Sequence, residues 1–383
     1  MLADVTVLEL GQVLAGPYAG AILADLGATV IKIEKPDGGD DGRRMGAPFL
    51  NNDSLTFHEY NRGKRSVALD LKSPAGLAGL HELAAHADVL IHNLRPDVPR
   101  AIGIEPERFC EHHPRLIYCE ISGFGHAGPL RLEPAFEPLI QAYSGIVSSN
   151  GDPSAPPSRL PISAVDMGTG MWTVIGVLTA LREREKTGRG SVVRTSLLET
   201  ALGWMSPRIN AFVNEGVELR REPMSGHPGL VPYQSFASAD GDLFVCVGND
   251  RLFAKFCTLL EREAWITDPA YATNRARLIH RDELVGRIGE ILAGRPRDYW
   301  LDRLRAAGVP CSPVNTVPDV VALEQFDALE MLSPFLDAGA TRLMALPLTF
   351  DGARSHPRSV APRLGADNAI VGAAGEREAI GSA

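Results

Sequence analysis

Residues Val5 to Pro36 read VTVLELGQVLAGPYAGAILADLGATVIKIEKP, and this stretch decides the fold. Its apolar spacing predicts a strand over 5–10, a turn punctuated by Gly11, Gly16 and Gly20, a helix over 18–26 and a second strand over 29–34. A βαβ opening of this kind begins a parallel sheet, and small residues in its first turn let an extended cofactor approach the backbone. Lys35, just past the second strand, stands at a carboxyl end where phosphate can be met. The glycines do not form G-x-G-x-x-G, although Glu34 sits near the position of a ribose-binding acid. Nicotinamide is therefore the weaker expectation, and NAD is not expected as a cofactor.

Downstream, NRGKRSVALDLKS predicts a basic loop running into a strand over 66–71, and residues 74–86 have helical spacing. ADVLIHNLRP and RLIYCEISGFG predict two more strands. Strands alternating with helices predict an α/β fold with a mostly parallel sheet and a ligand site at the strands' carboxyl ends. Lys35, Arg62, Lys64 and Arg95 all fall after predicted strands or in the loops between them. DMGTGMWTVIGVLTALREREK, from Asp166 to Lys186, predicts a long helix apolar around most of its circumference, hence mostly buried. A hairpin turning at Asp240-Gly241 and helices near 251–261, 281–292 and 298–307 mark a smaller α+β domain over 221–320. The large domain is expected over 1–220, completed by 321–383, because the chain's end has too little apolar material for a core of its own.

The chain has 383 residues and a net charge of -9, which argues against a nucleic-acid surface or a polybasic membrane patch. Its longest apolar run of note, Trp172 to Leu181, is too short to cross a bilayer. The five cysteines are odd in number and form no C-x-x-C, so reduced thiols, no metal and a cytoplasmic location are expected.

Several motifs in order, VLAGPYAGAILADLGATVIKIEKP, NRGKRSVALDLK, NLRP, ISGFGHAGP, AVDMGTG, EKTGRGSVVRTSLLE, SADGDLFV and APRLGADN, resemble the class III coenzyme A transferases, the family of formyl-CoA transferase and α-methylacyl-CoA racemase. The resemblance covers nearly the whole chain. It implies an interlocked homodimer with a Rossmann-like large domain built from both chain ends, coenzyme A entering as acyl-CoA and a small carboxylic acid as co-substrate. It also makes Asp166 the catalytic carboxylate, at a position where, without the resemblance, a helix N-cap is the expected role of an Asp. Coenzyme A is expected against Gln12, Val13, Leu14 and Ala15, with Lys35 toward phosphate and Asn93, Arg95 and Arg100 from the NLRP segment. Arg62 and Lys64 are weaker candidates. A glycine lid of the family matches Ser225 to Gly229, where only Gly226 and Gly229 remain and an ordinary turn is an equal expectation.

Racemase relatives need an acid-base pair on opposite faces of the substrate, supplied in part by a histidine. Phe136 occupies that place here and Glu137 follows it, which favours transfer, with Glu137 near Asp166 as a polar neighbour. The competing readings are an α-methylacyl-CoA racemase and a CoA- or nicotinamide-binding module without transferase chemistry.

Overall fold

Residues 1–337 and 340–372 are described by a computed structural model, and they form two compact units. The first holds Met1–Ser144, Pro161–Met205 and the chain from Asp327 onward; the second holds Gly145–Leu160 and Ser206–Phe326. The boundaries expected at 220 and 320 thus fall at 205 and 326, and 145–160 join the second unit.

The first unit is built on six parallel strands: β1 (Thr6–Glu9), β2 (Thr29–Glu34), β3 (Arg65–Ala68), β4 (Val89–His92), β5 (Ile117–Ser122) and β6 (Val192–Ser196). They lie in the order β3-β2-β1-β4-β5-β6, the doubly wound arrangement whose direction of winding reverses between β1 and β4. The helices that position the site are α1 (Ala15–Asp25), α2 (Leu55–Asn61), α3 (Pro74–Ala84), α4 (Glu137–Tyr143), α5 (Ala164–Thr187) and α6 (Leu197–Trp204). Local chemistry sets their starts. Ser54, Ser73 and Ser196 each accept a backbone N–H of the first turn, at 3.0, 3.0 and 3.1 Å. Gly188 closes α5 in the left-handed conformation at φ 69°.

On one face of the sheet, Leu8, Ile31, Val67 and Leu90 pack with Leu80 and Leu83 of α3 and with Phe109. On the other, α1 and α5 pack against each other. Asp367 and Asn368 near the chain's end accept the N–H groups of Ser66 and Ala68 at 2.8 and 2.7 Å, satisfying the free edge of β3.

Helix α5 departs from the buried cylinder that its composition predicts. Val165, Gly168, Thr169, Thr173, Val174 and Val177 are buried. Met171, Trp172 and Ile175 on the opposite side are 44%, 50% and 51% exposed. The helix is also 24 residues long, longer than its apolar run, and by length and composition alone could span a membrane.

The second unit carries an antiparallel sheet of β7 (Tyr233–Ala237), β8 (Asp242–Cys246) and β9 (Cys311–Pro313), with β8 in the middle. Phe236, Leu243 and Val245 bury against Phe253 and Phe256 of α7 (Asp250–Leu259), Leu284 and Ile288 of α8 (Arg281–Leu292), and Trp300 and Leu304 of α9 (Arg297–Ala306). Gly226 and Gly229 lie in this unit, and neither has the positive φ that would demand glycine. Their turn is tied down: Arg281 donates to the carbonyls of His227 and Pro228 at 2.8 and 3.2 Å, and Asn274 to that of Gly229 at 2.9 Å.

Candidate active site

The winding reversal between β1 and β4 opens a crevice at the carboxyl ends of those strands. A cavity of about 550 Å³ occupies it, lined by Gln12, Val13, Leu14 and Ala15 of the first turn, by Asn93 and Arg95 after β4, and by Glu137 and Asp166. That volume is of ligand size. Eight residues expected from the sequence thus share one cavity within the first unit.

The turn after β1 is clamped from three sides. Asn93 accepts the Gln12 N–H and donates to the Gln12 carbonyl, both at 2.8 Å, which joins the two strand ends across the crevice. Lys32 donates to the Gly11 carbonyl at 2.8 Å. Asp40 accepts the Val13 N–H at 3.0 Å.

Asp166 stands in the first turn of α5 and does not cap it; Ser163 holds the cap position, without a side-chain bond. The glycines that follow bring this turn to the cavity. A side chain at Gly170 would put its Cβ 2.9 Å from the Ala15 carbonyl oxygen, so α5 can press on the start of α1 only because that residue is glycine. Glu137, at the start of α4 and buried, accepts from Gln141 at 2.5 Å and from the Val165 N–H at 3.4 Å, next to Asp166 in the chain.

Among the described residues no hydrogen bond reaches the Asp166 carboxylate. Burial first, and then the negative charge of Glu137, push its carboxyl from the ordinary 3.8 up to about 7. That climb corresponds to about 4 kcal/mol against the charged form. A helix N-terminus returns only about 0.3–1 kcal/mol. The group is therefore held near half ionisation at neutral pH.

Other expected contacts lie elsewhere, for physical reasons. Lys64 is buried beneath the turn, donating to Glu9, the Pro17 carbonyl and Asn61 at 2.7, 2.8 and 2.9 Å, and burial holds its ammonium down to about 8. Arg62 is buried in an ion pair with Asp25 at 2.7 Å. Both cations are neutralised inside the core, and neither lines this cavity. Lys35 is exposed and pairs with Asp41 at 2.7 Å; Asp41 is the lining residue. Arg100 is exposed on the short helix Val98–Ile102 and is absent from the lining. Phe136, a ring with no exchangeable proton, does line the cavity. No cluster of His, Cys, Asp or Glu among the described residues is placed to hold a metal ion.

The sequence reading overlooked Glu9, Lys32 and Asp40. Glu9 and Lys32 sit directly opposite each other on β1 and β2, and both are fully buried. The signal was present: a charge within an apolar strand of a central parallel sheet must find a buried partner.

Comparison with known proteins gives the family. Residues 2–368 match CoA-transferase family III. The chain is 35% identical to acetyl-CoA:oxalate CoA-transferase of Acetobacter aceti, across 95% of this chain and 93% of that protein. It is 36% identical to succinate–glutarate CoA-transferase of Agrobacterium fabrum, across 85% and 83%. A crystal structure of a CAIB/BAIF family protein from Brucella suis superposes with a TM-score of 0.84 at 34% identity, covering 96% of this chain and 97% of that one. The chain belongs to CoA-transferase family III and is an enzyme of that class, acting on acyl-CoA and carboxylic acids.

Proposed function

We propose that Asp166 carries coenzyme A from an acyl-CoA donor to an acceptor acid through covalent intermediates on its own carboxyl. The observation that carries this reading is an unpaired carboxylate in the cavity at the sheet's switch point, titrating near neutrality. Its oxygen attacks the thioester carbonyl, forming the Asp166–acyl mixed anhydride and breaking the bond to sulfur. The CoA thiolate attacks the Asp166 carbonyl, forming an aspartyl thioester and releasing the donor acid. An acceptor carboxylate then attacks that thioester, and the returning thiolate takes the new acyl group, leaving Asp166 free. The thioester energy is conserved throughout.

A carboxyl at about 7 is a stronger nucleophile than one at 3.8 while still about half ionised at pH 7. Tuning is the smaller contribution. Holding the thioester against the carboxylate contributes about 7–11 kcal/mol, which is the task of the clamped turn. Gln12 to Ala15, Asn93 and Arg95 bind coenzyme A in this reading, with Glu137 adding its charge to the burial that holds the Asp166 carboxyl up. The exposed apolar stripe of α5 is the face by which two chains pair, since a row holding Met171, Trp172 and Ile175 is costly to leave in water. The free cysteines accord with a reducing cytoplasm.

Relatives named for oxalate and for succinate and glutarate make small dicarboxylic acids the first acceptors to try. Incubation with a panel of acyl-CoAs and free acids, with mass detection of new thioesters, tests the reading. Transfer lost in Asp166→Asn supports it; α-deuterium exchange without an acceptor acid points to an isomerase.

A further inference from the structure

Val13 has φ +65°, in the left-handed region where a β-branched side chain is an outlier. Such a conformation persists only where the surroundings impose it. The Leu14 N–H closes a turn around Val13 onto the Gln12 carbonyl at 2.9 Å, and the side chain that binds Val13 itself is one carboxylate. Asp40 Oδ1 accepts the Val13 N–H at 3.0 Å and the Gly42 N–H at 2.8 Å. Its Oδ2 lies 2.9 Å from Lys32 Nζ, and its own N–H donates to Glu34 at 2.9 Å. Asp40 is 2% exposed, so these contacts are shielded from water.

The two amides on Oδ1 belong to different walls of the cavity. Val13 is in the first turn, and Gly42 is in the short helix Asp41–Arg44, flanked by the lining residues Asp41 and Met45. One oxygen therefore joins both walls, and Lys32, which also holds the Gly11 carbonyl, fixes the carboxylate through its other oxygen, Oδ2.

We propose that Asp40 is a positioning residue for coenzyme A transfer: it holds Val13 in its strained conformation and joins the turn after β1 to the Asp41–Met45 wall. This deepens the function proposed above and rests on it for the identity of the ligand. Glycine adopts a φ of +65° at no steric cost, so relieving the strain at position 13 lessens the need for the Asp40 bond. The two residues are energetically coupled.

The test is a double-mutant cycle on the full chain, with coenzyme A titrated calorimetrically into native protein, Asp40→Asn, Val13→Gly and the double variant. Asp40→Asn is expected to raise the CoA Kd about tenfold in the native background and less than threefold in the Val13→Gly background. Its melting temperature is expected to fall equally in both, because the disturbed pairing with Lys32 is the same. An equal rise in Kd in both backgrounds, or none, overturns the proposal. Should Asp40→Asn fail to fold, Asp40→Asn with Lys32→Met removes the ammonium that has lost one of its two counter-charges, Glu9 keeps its pair with Lys64, and the same cycle is read there. Binding is read without turnover, so failure of the transfer chemistry at Asp166 registers separately in the Asp166→Asn assay.

Discussion

Two groups of shielded carboxylates lie in the first unit, and they are treated in opposite ways. Beneath the first turn, Glu9 sits between two ammonium groups, with Lys32 at 3.3 Å and Lys64 at 2.7 Å, while Asp40 takes the other side of Lys32 at 2.9 Å. Across the cavity, Asp166 has no cation among the described residues and has Glu137, of the same sign, as its charged neighbour. The paired group can only hold shape, since every charge is already satisfied. The unpaired one is poised to react, because any partner that neutralises it or shares its charge is stabilising.

Exchanging roles tests this contrast. The largest effect is expected at Asp166: Asp166→Asn should lower transfer by at least about 10³-fold, as loss of a nucleophile does, measured by thioester formation. Glu9→Gln comes next, leaving two buried ammonium groups short of a counter-charge; it should cost about 3–5 kcal/mol in denaturant unfolding. Asp166→Asn should act on stability in the other direction. The carboxyl of Asp166 titrates higher folded than unfolded, so the folded chain binds the extra proton and stability falls as pH rises from about 4 through about 7. The Asn variant lacks that fall and should exceed the native protein above pH 7 by roughly 2–4 kcal/mol, with no advantage below pH 4. Glu137→Gln should move the acid limb of the kcat/KM profile to lower pH by removing the charge that helps hold Asp166 protonated. The smallest effect belongs to Lys35→Ala. It breaks an exposed pair with Asp41 and should cost no more than about 1 kcal/mol in stability.

The same contrast explains what could be read from the sequence. The strand over 29–34 and the helix over 281–292 were legible to the residue: the strand is set between Gly27 and Pro36, and Leu284, Ile288 and Leu292 recur every four residues along the helix. The cavity residues Gln12 to Ala15, Asn93, Arg95, Glu137 and Asp166 were legible through motif and place in the fold. Basic residues were not: Lys64 and Arg62 look like phosphate ligands in NRGKRS, and only three-dimensional pairing with Glu9 and Asp25 shows them neutralised. The exposed side of α5 was hidden for a related reason, since composition gives the amount of apolar surface and not what covers it. Helix Ser206–Glu215 was missed although Ile209, Phe212 and Val213 recur at helical spacing, and that face is left unburied, with Phe212 and Val213 exposed.

The central claim is that the unpaired carboxylate takes a covalent part in transfer. Mixing the protein with acyl-CoA in the absence of acceptor, quenching in acid and mapping peptides by mass reads it directly. The account predicts an adduct of coenzyme A on the peptide carrying Asp166, absent from Asp166→Asn. An adduct elsewhere, or turnover by native protein with none formed, would contradict it.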